Sequence, residues 1–118
     1  MPLIKIQTSL LSPSAPEVNA LLKKLSAELS QQLGKSEAYV MTSFTSGVPM
    51  TFGGSADEPT CFVEIKNIGT MTPTQTQIMS QTFCQHLESE LGIAKQRTYI
   101  EFADAERHLW GWNGKTFA

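Results

Sequence analysis

Pro2 stands directly behind the initiator methionine, at the head of the apolar run Pro2-Leu3-Ile4-Lys5-Ile6. Methionine aminopeptidases generally remove Met before a small residue such as proline, which leaves a free secondary amine. An α-amino group has a reference pKa of about 7.7–8.0, and a neighbouring cation or a dry pocket lowers it. The result is a base near physiological pH, where proton transfer works best. With Met1 retained, Pro2 is a tertiary amide without basicity. Further positions along the chain could serve such a base. Lys35, directly after Gly34, reads either as a solvated lysine at a helix C-terminus or as a cation beside the amine, holding an anionic group. Ile68-Gly69 reads as a strand end with a turn glycine, or as a backbone N–H aimed at a substrate oxygen. Tyr99 and Glu101 share one face of a strand by their period of two; packing and a solvated face are the plain readings. Trp110, Trp112 and Phe117 read as packing residues that could also line an aromatic pocket.

These residues need a frame, and the chain supplies one twice. Leu3–Thr8 reads as a strand. Ser14, Pro16 and Glu17 carry helix-start signals, and Val18, Leu21, Leu22, Leu25, Leu29 and Leu33 follow at helical spacing up to Gly34. Tyr39–Thr45 reads as a second strand. After a loop with Phe52-Gly53-Gly54-Ser55, Cys61–Ile65 is a strand and Thr72-Pro73 opens a helix. Met79, Phe83, Leu87 and Leu91 form its stripe, Gly92 stops it, and Thr98–Phe102 is a fourth strand. Leu33-Gly34 recurs as Leu91-Gly92, and Tyr39 as Tyr99, an offset of about 58–60 residues. The predicted fold is α/β (α+β): two pseudo-symmetric βαβ repeats, giving a four-stranded mixed sheet with two helices on one face. The other face then needs cover, since Cys61–Ile65 carries apolar residues that could point there. A symmetric oligomer with facing sheets supplies it, and the tail Leu109-Trp110-Gly111-Trp112 suits pairing with a neighbour's edge strand.

Composition narrows the classes. At 118 residues, 41% hydrophobic and 17% charged, the chain reads as a single globular domain spanning 1–118. The net charge is −2 and no basic run is present, which argues against nucleic acid. No leader and no long apolar stretch points to secretion or a membrane, so a cytoplasmic location is expected. Cys61 and Cys84 match no metal or redox spacing and read as two buried thiols. His86 and His108 lack ligand spacing, so neither metal nor cofactor is expected. Asn113-Gly114-Lys115-Thr116 resembles the end of a phosphate loop but has Leu109 where glycine is required.

Met1-Pro2, Gly34-Lys35 with Tyr39, Phe52-Gly53-Gly54-Ser55, Asn67-Ile68-Gly69, Tyr99-Ile100, Gly111-Trp112-Asn113 and Thr116-Phe117-Ala118 fall in one order and spacing. By these the chain resembles the macrophage migration inhibitory factor (MIF) family of the tautomerase superfamily, over essentially its full length. The resemblance implies a homotrimer with pockets between subunits and keto–enol tautomerisation of aromatic α-keto acids such as phenylpyruvate. It implies Pro2 as catalytic base, Lys35 and the Ile68 N–H on the substrate's carboxylate or carbonyl, and Tyr99 entering from the adjacent subunit. Three departures stand out. Glu101 replaces an asparagine and should repel an anionic substrate unless screened or protonated. Trp110 replaces a small aliphatic at the rim and could narrow the mouth or stack on an aromatic substrate. Thr60-Cys61-Phe62-Val63 lacks the CxxC pair, so no redox activity is expected. The alternative the resemblance offers is a cytokine-like receptor-binding protein with a vestigial pocket.

Overall fold

The computed structural model describes residues 2–118; the removal of Met1 concerns a residue outside them. The chain runs β1 (Leu3–Thr8), α1 (Ala15–Leu33), a 3-10 turn (Glu37–Tyr39) and β2 (Met41–Thr45). Then follow β3 (Cys61–Ile68), α2 (Pro73–Leu91), a second 3-10 turn (Lys95–Arg97) and β4 (Thr98–Ala105). A third 3-10 turn (Arg107–Leu109) leads to the short strands β5 (Gly111–Trp112) and β6 (Lys115–Thr116). Among the described residues no helix is long and apolar enough to cross a membrane.

Both long helices start on a capping box. Ser14 Oγ accepts from the Glu17 N–H while the Glu17 carboxylate accepts from the Ser14 N–H. Thr72 and Gln75 repeat the exchange in front of α2. Each box satisfies two of the N–H groups a helix start leaves free. Both helices end on a left-handed glycine, Gly34 at φ 62° and Gly92 at φ 69°.

The sheet order is β2-β1-β3-β4, with β1 parallel to β2, β1 antiparallel to β3 and β3 parallel to β4. Ile4 and Ile6 of β1 and Val63 and Ile65 of β3 are fully buried in one cluster with Leu21, Leu25 and Leu29 of α1 and Met79, Phe83 and Leu87 of α2. This is the predicted two-helix, four-strand arrangement, a mixed sheet with one covered face. Burying these side chains stabilises the fold by roughly 1.5–3 kcal/mol each.

The structure corrects several expectations. On the open face β3 presents Phe62, Glu64 and Lys66, while Cys61, Val63 and Ile65 point into the core. Registers place Lys5 across from Glu64, and Glu64 beside Glu101, so that face is polar at its centre. Tyr39 lies in a 3-10 turn, not in β2: Ser36 Oγ accepts from the Ala38 N–H and starts a turn there. The last two sheet strands run further than expected, to Ile68 and Ala105. Cys61 is buried, but Cys84 is only half-buried. The tail folds as a β5–β6 hairpin, Gly111 with Thr116 and Trp112 with Lys115, in which each strand keeps one unpaired edge, so the expected pairing with a neighbour's edge strand is compatible with it. Its two turn residues, Asn113 and Gly114, both take positive φ (52° and 79°), the conformation two-residue hairpins favour.

The repeat offset also sharpens. Ala15 maps onto Pro73, Leu33 onto Leu91, and Glu37–Tyr39 onto Lys95–Arg97, a constant 58 residues. Tyr39 is therefore the counterpart of Arg97, and Tyr99 that of Met41.

Candidate active site

Pro2 is buried, and its carbonyl accepts from the Met41 N–H at 3.1 Å, the first rung between the two parallel strands. The antiparallel register Leu3–Lys66, carried one residue on, sets Pro2 across from Asn67 and next to Ile68. Asn67 is buried, and its Oδ1 has no hydrogen-bond partner among the described residues. A buried carbonyl oxygen left without a donor is costly and rare, and this one sits beside the proposed base.

A cavity of about 280 Å³ opens at Pro2, lined by Tyr39, Val40, Met41, Trp110 and Trp112 among others. Tyr39 meets Trp112 edge-on, ring centres 5.5 Å apart. Trp112 in turn stacks on Phe117 at 6.2 Å. Beyond Phe117 lies a second cavity of about 390 Å³, lined by Lys35, Ile68, Gly69, Arg107 and Phe117. The Trp112–Phe117 stack is thus shared between the two.

Lys35 is held there by the end of α1. Its N–H donates to the Ser30 carbonyl at 3.0 Å and the Gly34 N–H to that of Gln31, a Schellman closure that only a left-handed residue at Gly34 permits. Ser30 Oγ also donates to the Lys35 carbonyl. With its backbone fixed at both ends, Lys35 extends its ammonium to the Ile68 carbonyl at 3.1 Å. It bonds the strand end, not the carbonyls of its own helix.

The remaining predicted residues lie elsewhere in the chain. Tyr99 is 67% exposed on the open sheet face, and Glu101 is exposed on the same face; neither lines either cavity. Tyr99 packs on Phe52, ring centres 5.1 Å apart. Phe52 belongs to a loop clamped by Arg97, which donates to the carbonyls of Phe52, Ser55, Glu58 and Pro59 at 2.9–3.4 Å. The guanidinium also lies 5.7 Å from the Phe52 ring centre. The largest cavity, about 760 Å³, lies at the far end of β1 along Ser9–Leu11 and Val48–Thr51; its only charged lining residues are Asp57 and Glu58. Its two carboxylates stand there without a cation to hold an anionic group, whereas the smaller pair brings in both Pro2 and Lys35 and is the candidate site.

The sequence profile of the MIF family matches residues 1–118. The chain belongs to the macrophage migration inhibitory factor family. A MIF homologue from Brugia malayi is 38% identical over 117 residues, covering 99% of each chain. The MIF of Meriones unguiculatus is 34% identical over 118 residues and the whole of both chains. The crystal structure of a MIF homologue from Prochlorococcus marinus superposes with a TM-score of 0.90 at 50% identity, covering 98% of this chain and 99% of that one.

For this MIF-family chain, Pro2 and Trp110 share one cavity, and Lys35, Ile68 and Phe117 share the next. Tyr39 and Arg107 are lining residues to which the sequence alone gives no place in the site, and Trp112 enters there only as a residue that could line an aromatic pocket. Tyr39 was placed in a strand, where its ring would alternate with core positions; the Ser36 cap was the missed signal. Trp112 was available from the Asn113-Gly114 turn, which fixes which way a hairpin residue points. Arg107 carries no sequence signal at all, since only the fold brings it to Lys35.

Proposed function

We propose that this protein is a cofactor-independent keto–enol tautomerase of aromatic α-keto acids of the phenylpyruvate type, with Pro2 as general base once Met1 is removed. The observation that carries this is a buried Pro2 at the wall of an aromatic cavity, beside a second cavity where a lysine is locked in place. The freed amine takes a proton from the carbon next to the keto group and returns it to the oxygen. The reverse transfer gives the keto form. Burial of Pro2 disfavours the charged form of the freed amine and so favours the base. Lys35 meets the negative charge that develops on the oxygen, which lowers the barrier. Tyr39, Trp110, Trp112 and Phe117 receive the aromatic ring.

The working unit in this reading is a homotrimer. Tyr99 and Glu101 lie outside the cavities of their own chain, and a neighbouring subunit's pocket gives both a role. A mass near three chains by light scattering is expected; a stable, active monomer would remove Tyr99 from the site.

The deciding experiment pairs intact mass with turnover of phenylpyruvate. Protein lacking Met1 should turn over, and Pro2→Gly should lose roughly 10²–10⁴-fold, the range for a positioned acid–base group. Full activity with Met1 retained would overturn the mechanism. A second reading rests on the names of the Brugia and Meriones relatives, macrophage migration inhibitory factors. In it the protein is a receptor-binding signal. Cytokine-receptor binding by Pro2→Ala, with negligible turnover by the native chain, would favour it.

A further inference from the structure

The cavity beyond Phe117 carries two cations and no acid. Lys35 and Arg107 both line it, together with Ile68, Gly69 and Phe117. Neither cation is in an ion pair: the pairs among the described residues are Lys24–Glu90 and Glu106–His108. Arg107 is nevertheless held in place. Its Nε donates to the Phe117 carbonyl at 2.9 Å, and its own carbonyl accepts from the Phe117 N–H at 3.2 Å. Its two Nη groups make no hydrogen bond among the described residues. What remains is a planar fork, pinned at its base, on a residue that lines both the Lys35 cavity and a neighbouring one of about 610 Å³, whose lining adds Asp104, Glu106 and His108 without an ion pair to Arg107.

An α-keto acid enters such a site with one negative charge and approaches the transition state with two, on carboxylate and enolate oxygen. The two cations differ in what they suit. A guanidinium grips a carboxylate through two parallel N–H···O bonds, whereas an ammonium is a compact point charge for a single oxygen. We propose that Arg107 is the carboxylate anchor of the site, leaving Lys35 to the keto oxygen where charge develops. This rests on the tautomerase reading and deepens it: it assigns to separate residues the two substrate groups that Lys35 alone would otherwise have to serve. It also makes the site selective for keto compounds with a free carboxylate over their neutral derivatives.

The test compares phenylpyruvate with its methyl ester, which enolises but lacks the charge, on the native protein, Arg107→Met, Arg107→Lys and Lys35→Met. Binding is followed in parallel by quenching of tryptophan fluorescence. Arg107→Met should raise KM and Kd for the acid about tenfold, the lower end for a charge-assisted pair at an open cavity, with kcat nearly kept. The same substitution should leave the ester unmoved. Arg107→Lys should recover only part of the loss, because the fork is gone. Lys35→Met should lower kcat for acid and ester alike. Equal effects of Arg107→Met on acid and ester, or none on either, would overturn the anchor. So would a fall in assembly mass in that variant, which would mean that a neighbouring subunit's carboxylate occupies the fork. If the native protein turns over neither compound, the tautomerase reading fails, and the acid-to-ester binding ratio still decides on Arg107.

Discussion

The two halves of the chain share a backbone and differ in what they do with it. Both have a boxed helix start, a nineteen-residue helix, a left-handed glycine stop and a 3-10 turn feeding a parallel strand. The residue after the glycine is Lys35 in the first half and Ile93 in the second. Lys35 reaches across to β3, whereas Ile93 is fully buried in the core. At the end of the 3-10 turn the first half has Tyr39, a wall of the Pro2 cavity, and the second has Arg97, clamp of the Phe52 loop. One half thus exposes chemistry at its helix end, and the other closes the same position. A repeated frame fixes where side chains stand, and single substitutions then decide whether a position is core or site.

Exchanging residues between equivalent positions tests this most severely. Ile93→Lys puts a charge into the core and should cost about 4 kcal/mol or more, read by urea denaturation; a well-folded variant would mean the two positions are not distinguished by burial. Lys35→Ile should stay within about 1 kcal/mol of the parent yet lose roughly a hundredfold in kcat, as for removal of an oxyanion donor. The next comparison sets Arg97 against Tyr39. Arg97→Met strips four carbonyl partners and should lower stability by about 2 kcal/mol; Tyr39→Met should hardly change it but raise KM. Equal melting shifts would contradict the division between clamp and cavity wall.

Ser14→Ala and Thr72→Ala should each cost about 1 kcal/mol, matching within error, because the two capping boxes are alike. A large inequality would show that the caps are not equivalent in energy. The smallest effect concerns Cys61. Burial, with a lesser contribution from Cys84, pushes its thiol from the ordinary 9.0 up to about 12. Cys84 is also raised, by burial first, with Lys95 opposing. The unfolded chain therefore loses these protons first, and stability should fall as pH rises from about 9 towards 12. Cys61→Ala should flatten that slope in urea titrations across the range.

Much of the frame was legible because its signals are local. Capping residues, leucine spacing and terminal glycines specify both helices from neighbours a few positions away. The start of β2 was misread because Ser36 captures the backbone before Tyr39 can extend. Asn113-Gly114-Lys115-Thr116 looks like the end of a phosphate loop but lacks its first glycine, and the positive φ angles of Asn113 and Gly114 make the pair a hairpin turn. For the candidate site, Pro2, Lys35 and Ile68 fall at one end of the sheet because strand order alone determines it. Arg107 and the Asn67 carboxamide were invisible, since their importance lies in what surrounds them across the fold. The polar centre of the open face escaped for a different reason: an alternating strand does not declare which of its two sides is inward.

The hairpin at the chain end is built on a turn of only two residues, so its length is fixed to the residue. Inserting or deleting one residue between Trp112 and Lys115 would shift the pairing by one and turn the ring of one partner to the opposite side. Trp112 would leave Tyr39, and Phe117 would lose its place against both Trp112 and Arg107. Chain ends usually tolerate small changes of length. Here the last eight residues behave as a measured spacer, and the loss would be read in the cavity walls long before it was felt in the core.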